Sequence, residues 1–100
     1  MTVSVLLEGN LQDGERDGFT TLLTEKFKAT KTFEGFQTID LTYNVEDPNN
    51  WVITELWDSK EQYEKYLQFR QEDGTLEEVA AVCRDAPSVR IFDIADTASN

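Results

Sequence analysis

The sequence predicts an α+β domain in which the elements follow the order β-α-β-β-α-β. Two observations support this fold class. Four short runs rich in β-branched and aromatic residues are bounded by Gly, Asp, Asn or Pro, as strands are. Two longer stretches repeat apolar residues at helical spacing, and the second contains two capping sequences. The predicted strands cover residues 2–8, 36–45, 51–57 and 88–94.

The first strand and the first helix come from the first 28 residues. "TVSVLLE" is short, apolar and β-branched, which is typical of a buried strand. "LQDGERDG" interrupts the apolar run. Residues 15–28 then place four apolar side chains on one face of a helix: Phe19, Leu22, Leu23 and Phe27.

The middle of the chain predicts a β-hairpin. Residues 36–45 alternate between apolar and polar side chains, "EDPNN" is typical of a turn, and "WVITELW" forms the partner strand. Two registers remain open. A four-residue loop places Asp40 opposite Glu55, where two like charges would raise one pKa. A five-residue loop places Leu41 opposite Glu55 instead, and it aligns the apolar faces better.

Two capping boxes divide the second helical region. Ser59-x-x-Gln62 starts a helix whose inner face carries Tyr63, Tyr66, Leu67 and Arg70. "EDG" interrupts it, Thr75-x-x-Glu78 is predicted to start the next helix, and Pro87 ends that helix. Residues 1–95 thus form one domain, and residues 96–100 are expected to be a flexible polar tail.

This element order is ferredoxin-like, with a four-stranded antiparallel sheet that carries helices on one face. The first strand, however, is apolar on both sides, with Val5 and Leu7 on one side and Leu6 on the other. A sheet with one face in water should alternate more cleanly. We therefore expect a second copy of the chain to cover the other face in a symmetric homodimer.

Composition excludes several classes of partner. The chain has 100 residues, with 9 Lys and Arg against 20 Asp and Glu, and a formal net charge of -11. Such a charge repels phosphate backbones and anionic lipid, so neither nucleic acid nor a membrane is an expected partner. No apolar run approaches the ~20 residues of a membrane span, and the N-terminus lacks the basic region of a signal peptide. A cytoplasmic location is expected.

The absence of histidine restricts the chemistry further. It excludes Ser-His-Asp and Cys-His catalysis, His-ligated zinc and His-ligated haem. Acid–base work falls to carboxylates, Tyr, Lys or water. "VEDPNN" lacks the alternating spacing of a calcium loop, so we expect neither a metal nor a cofactor. The single Cys83 lies on an apolar stripe and is expected to be a small core residue.

Four segments carry a family resemblance: "LQDGERDGF", "FEGF", "YNVEDPNNWVITELWDSKEQYEKY" and "PSVRIFDI". Over about residues 2–94 the chain resembles the antibiotic biosynthesis monooxygenase family, and the Trp-Asp-Ser-x-Glu-x-Tyr core is its most recurrent feature. The resemblance implies a dimeric α+β barrel. It also implies a small cofactor-independent monooxygenase that oxidises a quinol or a polyphenolic, polyketide-type aromatic with O₂.

The resemblance also suggests site residues. Trp57 and Tyr63 correspond to a Trp and a Tyr that border the substrate cavity in such oxygenases. An Asn that some of them use corresponds here to Ile53. Asn10 matches an Asn of haem-degrading relatives, but their haem-ligating His position is Leu67, so haem degradation is not expected.

The candidate site therefore has two parts. Trp57, Tyr63 and Glu55 are the candidate catalytic residues, with Glu55 or Asp40 as the proton acceptor. The candidate substrate-binding residues are Tyr66, Arg70 and Asn10. Each has a simpler alternative: the aromatic residues fill a core, Arg70 is a surface residue paired with Glu72 or Asp73, and Asn10 serves a turn. For Glu55 and Asp40 the alternative is a solvated edge charge, and it is the favoured interpretation for Asp40.

Two other functions remain open. The chain could be a non-catalytic ligand-binding or structural dimer, or a non-oxidative isomerase or cyclase on the same barrel. An open cavity with polar side-chain tips favours an enzyme. A space filled by Phe19, Phe27 and Phe69 favours a structural role.

Overall fold

The predicted order of elements is confirmed in the computed structural model, which describes residues 1–99. Four strands form one antiparallel sheet in the order β2-β3-β1-β4, and the second helical region is divided at residues 73–74, giving a ferredoxin-like α+β fold. The elements are β1 Val3–Asn10, α1 Arg16–Thr30, β2 Phe36–Asn44, β3 Asp47–Trp57, α2 Lys60–Glu72, α3 Thr75–Ala81 and β4 Ser88–Asp93.

The central strand β3 determines which side chains face the helices. Alternate residues of a strand point to opposite faces. From residue 51 onward the odd-numbered side chains of β3 are all buried, whereas those between them are only half-buried. The inner face of β3 therefore presents Trp51, Ile53, Glu55 and Trp57 to the helix layer.

Neither predicted hairpin register is correct. The strand β3 begins at Asp47, so the turn shortens to residues 45–46, and register shifts occur beside Tyr43 and beside Phe36. With the shift beside Tyr43, Ile39 lies opposite Glu55. Asp40 lies opposite Thr54 on the outer face, where it is exposed, so the predicted pairing of Asp40 with Glu55 does not form.

The first capping box is confirmed and the second is wrong. The Gln62 amide donates to the Ser59 hydroxyl at 3.2 Å and so satisfies an N–H of the first turn of α2. At α3 the cap residue is Gly74, which adopts a φ of 85°. Thr75 is the first helical residue, and its hydroxyl is buried without a hydrogen-bond partner. The Asp73 carboxylate accepts the Thr75 amide instead, at 2.8 Å.

The core consists of two clusters along β3. One surrounds Trp51 and includes Phe19 and Cys83, so the prediction that Cys83 is a core residue is confirmed. The other surrounds Trp57 and includes Tyr63 and Tyr66. Because the two clusters lie toward opposite ends of the inner face of β3, with Ile53 in the first cluster, Glu55 lies between them.

The outer face of the sheet combines polar and apolar side chains. Leu6, Val52 and Leu56 are half-buried there, and Phe92 is 45% exposed. Among residues 1–99, no helix is long and apolar enough to cross a bilayer. The predicted tail follows β4 without regular structure as far as residue 99, and Asn100 lies outside the described residues.

Candidate functional site

A cavity of about 160 Å³ lies between the sheet and the helices, where the two core clusters meet. Every helix and every strand contributes to its wall, so the whole fold is needed to form it. Its lining residues are Leu7, Leu23, Lys26, Phe27, Ile39, Trp51, Ile53, Glu55, Tyr63, Tyr66, Leu67, Arg70, Thr75, Leu76, Val79, Pro87 and Val89.

Glu55 is a buried carboxyl group in the floor of this cavity. Its side chain is directed inward by the alternation of β3, and only 3% of the residue is exposed. The Trp57 indole N–H donates to Glu55 Oε1 at 2.9 Å. Burial raises the pKa of Glu55 from 4.5 to about 7, and the hydrogen bond from Trp57 opposes that rise. The raised pKa therefore comes from burial, not from the like charge of Asp40.

The cavity exposes two polar side-chain tips that lack a partner within residues 1–99. The fully enclosed side-chain N and O atoms without a partner in this part of the chain are Trp51 Nε1 and Thr75 Oγ1. Glu55 Oε2 and the Tyr63 hydroxyl also make no hydrogen bond, but unlike those two atoms they are not fully enclosed. They are the two polar tips that the cavity exposes. Both atoms can bind a polar group of a ligand.

Tyr63 supplies the second of these tips from α2, one turn after the Ser59 cap. Its ring packs edge-on against Trp57, with the ring centroids 5.8 Å apart. Burial, followed by the charge of Glu55, raises the pKa of Tyr63 far above its usual value of 10.0. The hydroxyl is therefore protonated at ordinary pH and can donate a hydrogen bond to a ligand oxygen.

Trp57 lies one layer behind the cavity wall. It is fully buried and packs against Phe36, Tyr63 and Tyr66, and it is not a lining residue. Its contact with the site is the hydrogen bond to Glu55. In this position Trp57 holds one oxygen of the Glu55 carboxyl group.

Tyr66 and Arg70 belong to a buried network that joins α1 to α2. Arg70 Nε donates to the Tyr66 hydroxyl at 3.1 Å, which also bonds to Thr30 Oγ1 at 2.8 Å. Other guanidinium N–H groups donate to the Lys26 carbonyl and to the Asp73 carboxylate. The expected pairing with Asp73 is thus confirmed, but Arg70 is not a surface residue, since it is only 4% exposed.

Asn10 lies away from the cavity, at the end of β1. Its side-chain oxygen accepts from Asn50 Nδ2 at 3.1 Å, and its carbonyl accepts the Arg84 amide at 2.8 Å. Both contacts tie the end of β1 to its neighbours. Five of the six candidate residues therefore lie together. Four of them line the cavity, namely Glu55, Tyr63, Tyr66 and Arg70, and Trp57 contacts Glu55, whereas Asn10 lies elsewhere.

The three phenylalanines that would fill the cavity in a structural protein do not do so. Phe19 packs against Trp51, Phe69 is 38% exposed and packs against Phe33, and Phe27 forms part of the wall. The open cavity with polar tips favours ligand binding. Sequence reasoning missed the lining role of Trp51 and of Ile53, although both share the inward face of Glu55 by simple alternation.

The part of the chain that the structure describes contains no group of three His, Cys, Asp or Glu side chains placed to hold a metal ion. Glu55 is the one lining residue with an acidic side chain, and the basic lining residues are Lys26 and Arg70. The site thus offers a proton acceptor, hydrogen-bond donors and a largely apolar wall.

The chain is similar to known proteins both in sequence and in fold. Residues 2–71 match the family described as antibiotic biosynthesis monooxygenase. SnoaB, a cofactor-independent oxygenase from Streptomyces nogalater, superposes with a TM-score of 0.83 at 14% identity over 96% of this chain and 95% of its own. No protein with a curated description matches the chain by sequence.

Two further solved structures have the same fold. A conserved protein from Methanosarcina mazei Go1 has a TM-score of 0.84 at 12% identity, over 92% of this chain and 91% of its own. Rv0793 from Mycobacterium tuberculosis has a TM-score of 0.78 at 19% identity, over 99% of this chain and all of its own. At such identities the likeness concerns the fold alone.

Proposed function

Because the chain belongs to the antibiotic biosynthesis monooxygenase family, we propose that it is a cofactor-independent monooxygenase of phenolic or quinol-type aromatics. The observation that carries the proposal is the pairing of an accessible Glu55 oxygen with the Tyr63 hydroxyl in an open, largely apolar cavity. Such a site can bind a flat ring, remove one proton from it and keep out bulk water.

Glu55 is the proposed proton acceptor. A general base works best when its pKa is near the operating pH, and burial brings the pKa of Glu55 to about 7. Oε1 is held by Trp57, which leaves Oε2 to accept the proton of a substrate hydroxyl. Trp57 acts here as a positioning residue.

Tyr63 is the proposed donor to the substrate oxygen. As the substrate loses its proton, negative charge develops on that oxygen, and a fixed donor in an apolar site stabilises it. Since burial and Glu55 raise the pKa of Tyr63, its hydroxyl keeps its proton at ordinary pH and can donate it in a hydrogen bond. The donor and the base thus act on the same hydroxyl group.

The proposed reaction balances without an external reductant. The deprotonated hydroquinone gives one electron to O₂, and the resulting semiquinone and superoxide combine to form a C–O bond and a ring peroxide. Glu55 returns its proton to the outer peroxide oxygen. The carbon that bears the peroxide then loses its hydrogen as a proton, and the C–H electron pair forms a C=O bond as the O–O bond breaks. The leaving hydroxide takes up that proton and departs as water. One hydroquinone and one O₂ give one hydroxyquinone and one water, so the substrate supplies all four electrons.

Oxygen uptake by the metal-free protein against a panel of hydroquinones tests this proposal. We expect uptake above the rate of autoxidation, reduced about 100-fold or more in Glu55→Gln. The matched control is Glu34→Gln, which removes the same charge at an exposed loop position and should leave uptake unchanged. Equal uptake by wild type and Glu55→Gln would contradict the proposal.

The buried base also suits a non-oxidative isomerase or cyclase, since such a reaction needs proton removal but no O₂. Product analysis under nitrogen separates the two functions. Turnover that continues without O₂ would contradict the oxygenase and support an isomerase or cyclase. Turnover that stops without O₂ supports the oxygenase.

We also propose that the protein is a cytoplasmic homodimer, with the outer sheet face as its interface. Leu6, Val52, Leu56 and Phe92 supply the apolar part of that face. Light scattering at micromolar concentration should give twice the chain mass of 11.5 kDa, and Leu56→Asp should lower it. A monomer in the unmodified protein would exclude this arrangement.

A further inference from the structure

We propose that the cavity selects a phenol or hydroquinone with one aromatic ring and short alkyl substituents, and that it excludes three-ring aromatics. This inference rests on the proposed function, because it concerns the substrate of the same site. The cavity measures about 160 Å³. An engineered protein cavity of about 150 Å³ holds one benzene molecule, so the volume here suits one ring.

The end of the cavity near Trp51 is fixed. The Trp51 ring is fully buried, and the Phe19 ring packs against it with centroids 5.1 Å apart. On its other side the ring lies over Gly9, where a Cβ atom would be only 2.6 Å from Trp51 Cζ2. Because the ring is held on both sides, it cannot swing away to lengthen the cavity.

The opposite end is fixed by aromatic packing and by hydrogen bonds. The rings of Trp57 and Tyr66 pack with centroids 5.0 Å apart, and Tyr63 contacts both. The Tyr66 hydroxyl is bound to Thr30 and Arg70, so its ring is held in place. A larger ligand would have to break this buried network, and breaking buried polar contacts is costly.

The distribution of polar atoms along the cavity determines which substituents the ligand ring can carry. The accessible tips of Glu55 and Tyr63 lie near the Trp57 end. Toward Trp51 the walls are aliphatic and include Leu23 and Val79. A ring hydroxyl placed at Glu55 therefore directs the opposite edge of the ring into aliphatic surroundings. Alkyl groups are favourable there because they bury apolar surface against these side chains.

Binding under nitrogen tests the size limit independently of turnover. Isothermal titration at neutral pH compares 4-ethylphenol, which has one ring, with 9-phenanthrol, which has three. We expect the one-ring ligand to bind at least roughly tenfold more tightly. Equal or tighter binding of 9-phenanthrol, or no binding of 4-ethylphenol at millimolar concentration, would overturn the inference.

A variant that enlarges the cavity gives a second test. Leu76 is a half-buried lining residue on α3, and Leu76→Ala should raise the affinity for 9-phenanthrol about tenfold. Leu22→Ala is the matched control, because Leu22 is half-buried on α1 but does not line the cavity. If Leu76→Ala does not fold, Leu67→Ala removes a lining side chain from α2. An unchanged affinity in the folded variant would contradict the size limit.

These outcomes separate the inference from the proposed function. Tight binding of one-ring ligands without any oxygen uptake would retain the size limit and reject the oxygenase. Uptake with three-ring substrates at rates above those of one-ring substrates would retain the oxygenase and reject the size limit.

Discussion

Glu55 should make the stability of the protein depend on pH in a direction opposite to that of most paired carboxylates. Its pKa is 4.5 in the unfolded chain and about 7 in the fold, because folding buries it. Between these two values the folded state binds more protons than the unfolded state. By linkage, the free energy of unfolding must then fall as pH rises through this window.

The magnitude follows from the two pKa values. One pH unit corresponds to about 1.4 kcal/mol, so the full contribution of Glu55 is about 3 kcal/mol. Below pH 4.5 Glu55 does not lower the free energy of unfolding. Above about pH 7 the full reduction of about 3 kcal/mol applies. Most of the change should fall between pH 5 and pH 8.

The comparison with Glu55→Gln isolates this contribution from the other carboxylates. Urea unfolding of both proteins is measured at pH 5 and at pH 8, with Glu34→Gln as the control for the loss of one charge. The variant should gain about 2 to 3 kcal/mol relative to the wild type between the two conditions, because the glutamine never ionises. A difference between variant and wild type that does not change with pH would refute the assignment of Glu55 as a buried, ionisable group.

The same contacts predict the behaviour of three further variants. Tyr63→Phe should keep the stability of the wild type, since its hydroxyl makes no hydrogen bond within residues 1–99, yet lose most oxygen uptake; unchanged uptake would assign Tyr63 to packing alone. Trp57→Phe removes the hydrogen bond that lowers the pKa of Glu55, so the loss of stability with rising pH should extend to higher pH, and an unchanged upper limit would contradict that role. Gly9→Ala should cost about 1 to 3 kcal/mol in unfolding free energy, because its Cβ would lie 2.6 Å from Trp51; a stability equal to wild type would show that the Trp51 ring is free to move.

The elements and their order could be predicted from the sequence because each depends on local signals. The strand over residues 51–57 and the Ser59 cap are predicted from neighbouring residues, and both are confirmed. The predicted hairpin registers are wrong because β3 begins at Asp47 and a local irregularity beside Tyr43 shifts the pairing. The partner of Asp40 depends on that register, whereas its exposure to solvent agrees with the alternative of a solvated edge charge.

The candidate site could be predicted in part. Glu55 and Tyr63 are lining residues as expected, because each sits on the inward face of a regular element. The helical spacing places Arg70 on the inner face of α2, but its partners Lys26 and Thr30 lie 44 and 40 residues away in the chain, and no local pattern reveals such contacts. Trp57 lies behind the cavity wall. Glu55, two residues before it on the inner face of β3, faces the cavity instead and accepts the hydrogen bond of Trp57.

The pH dependence of oxygen uptake shows whether Glu55 is the proton acceptor of a cofactor-independent oxygenation. The measurement is kcat/KM for a one-ring hydroquinone with the metal-free protein, corrected for autoxidation at each pH. We expect kcat/KM to rise with pH, following one ionisation near pH 7, and we expect this rise to be absent in Glu55→Gln. The same rise in Glu55→Gln, or a profile without an ionisation near pH 7, would contradict it.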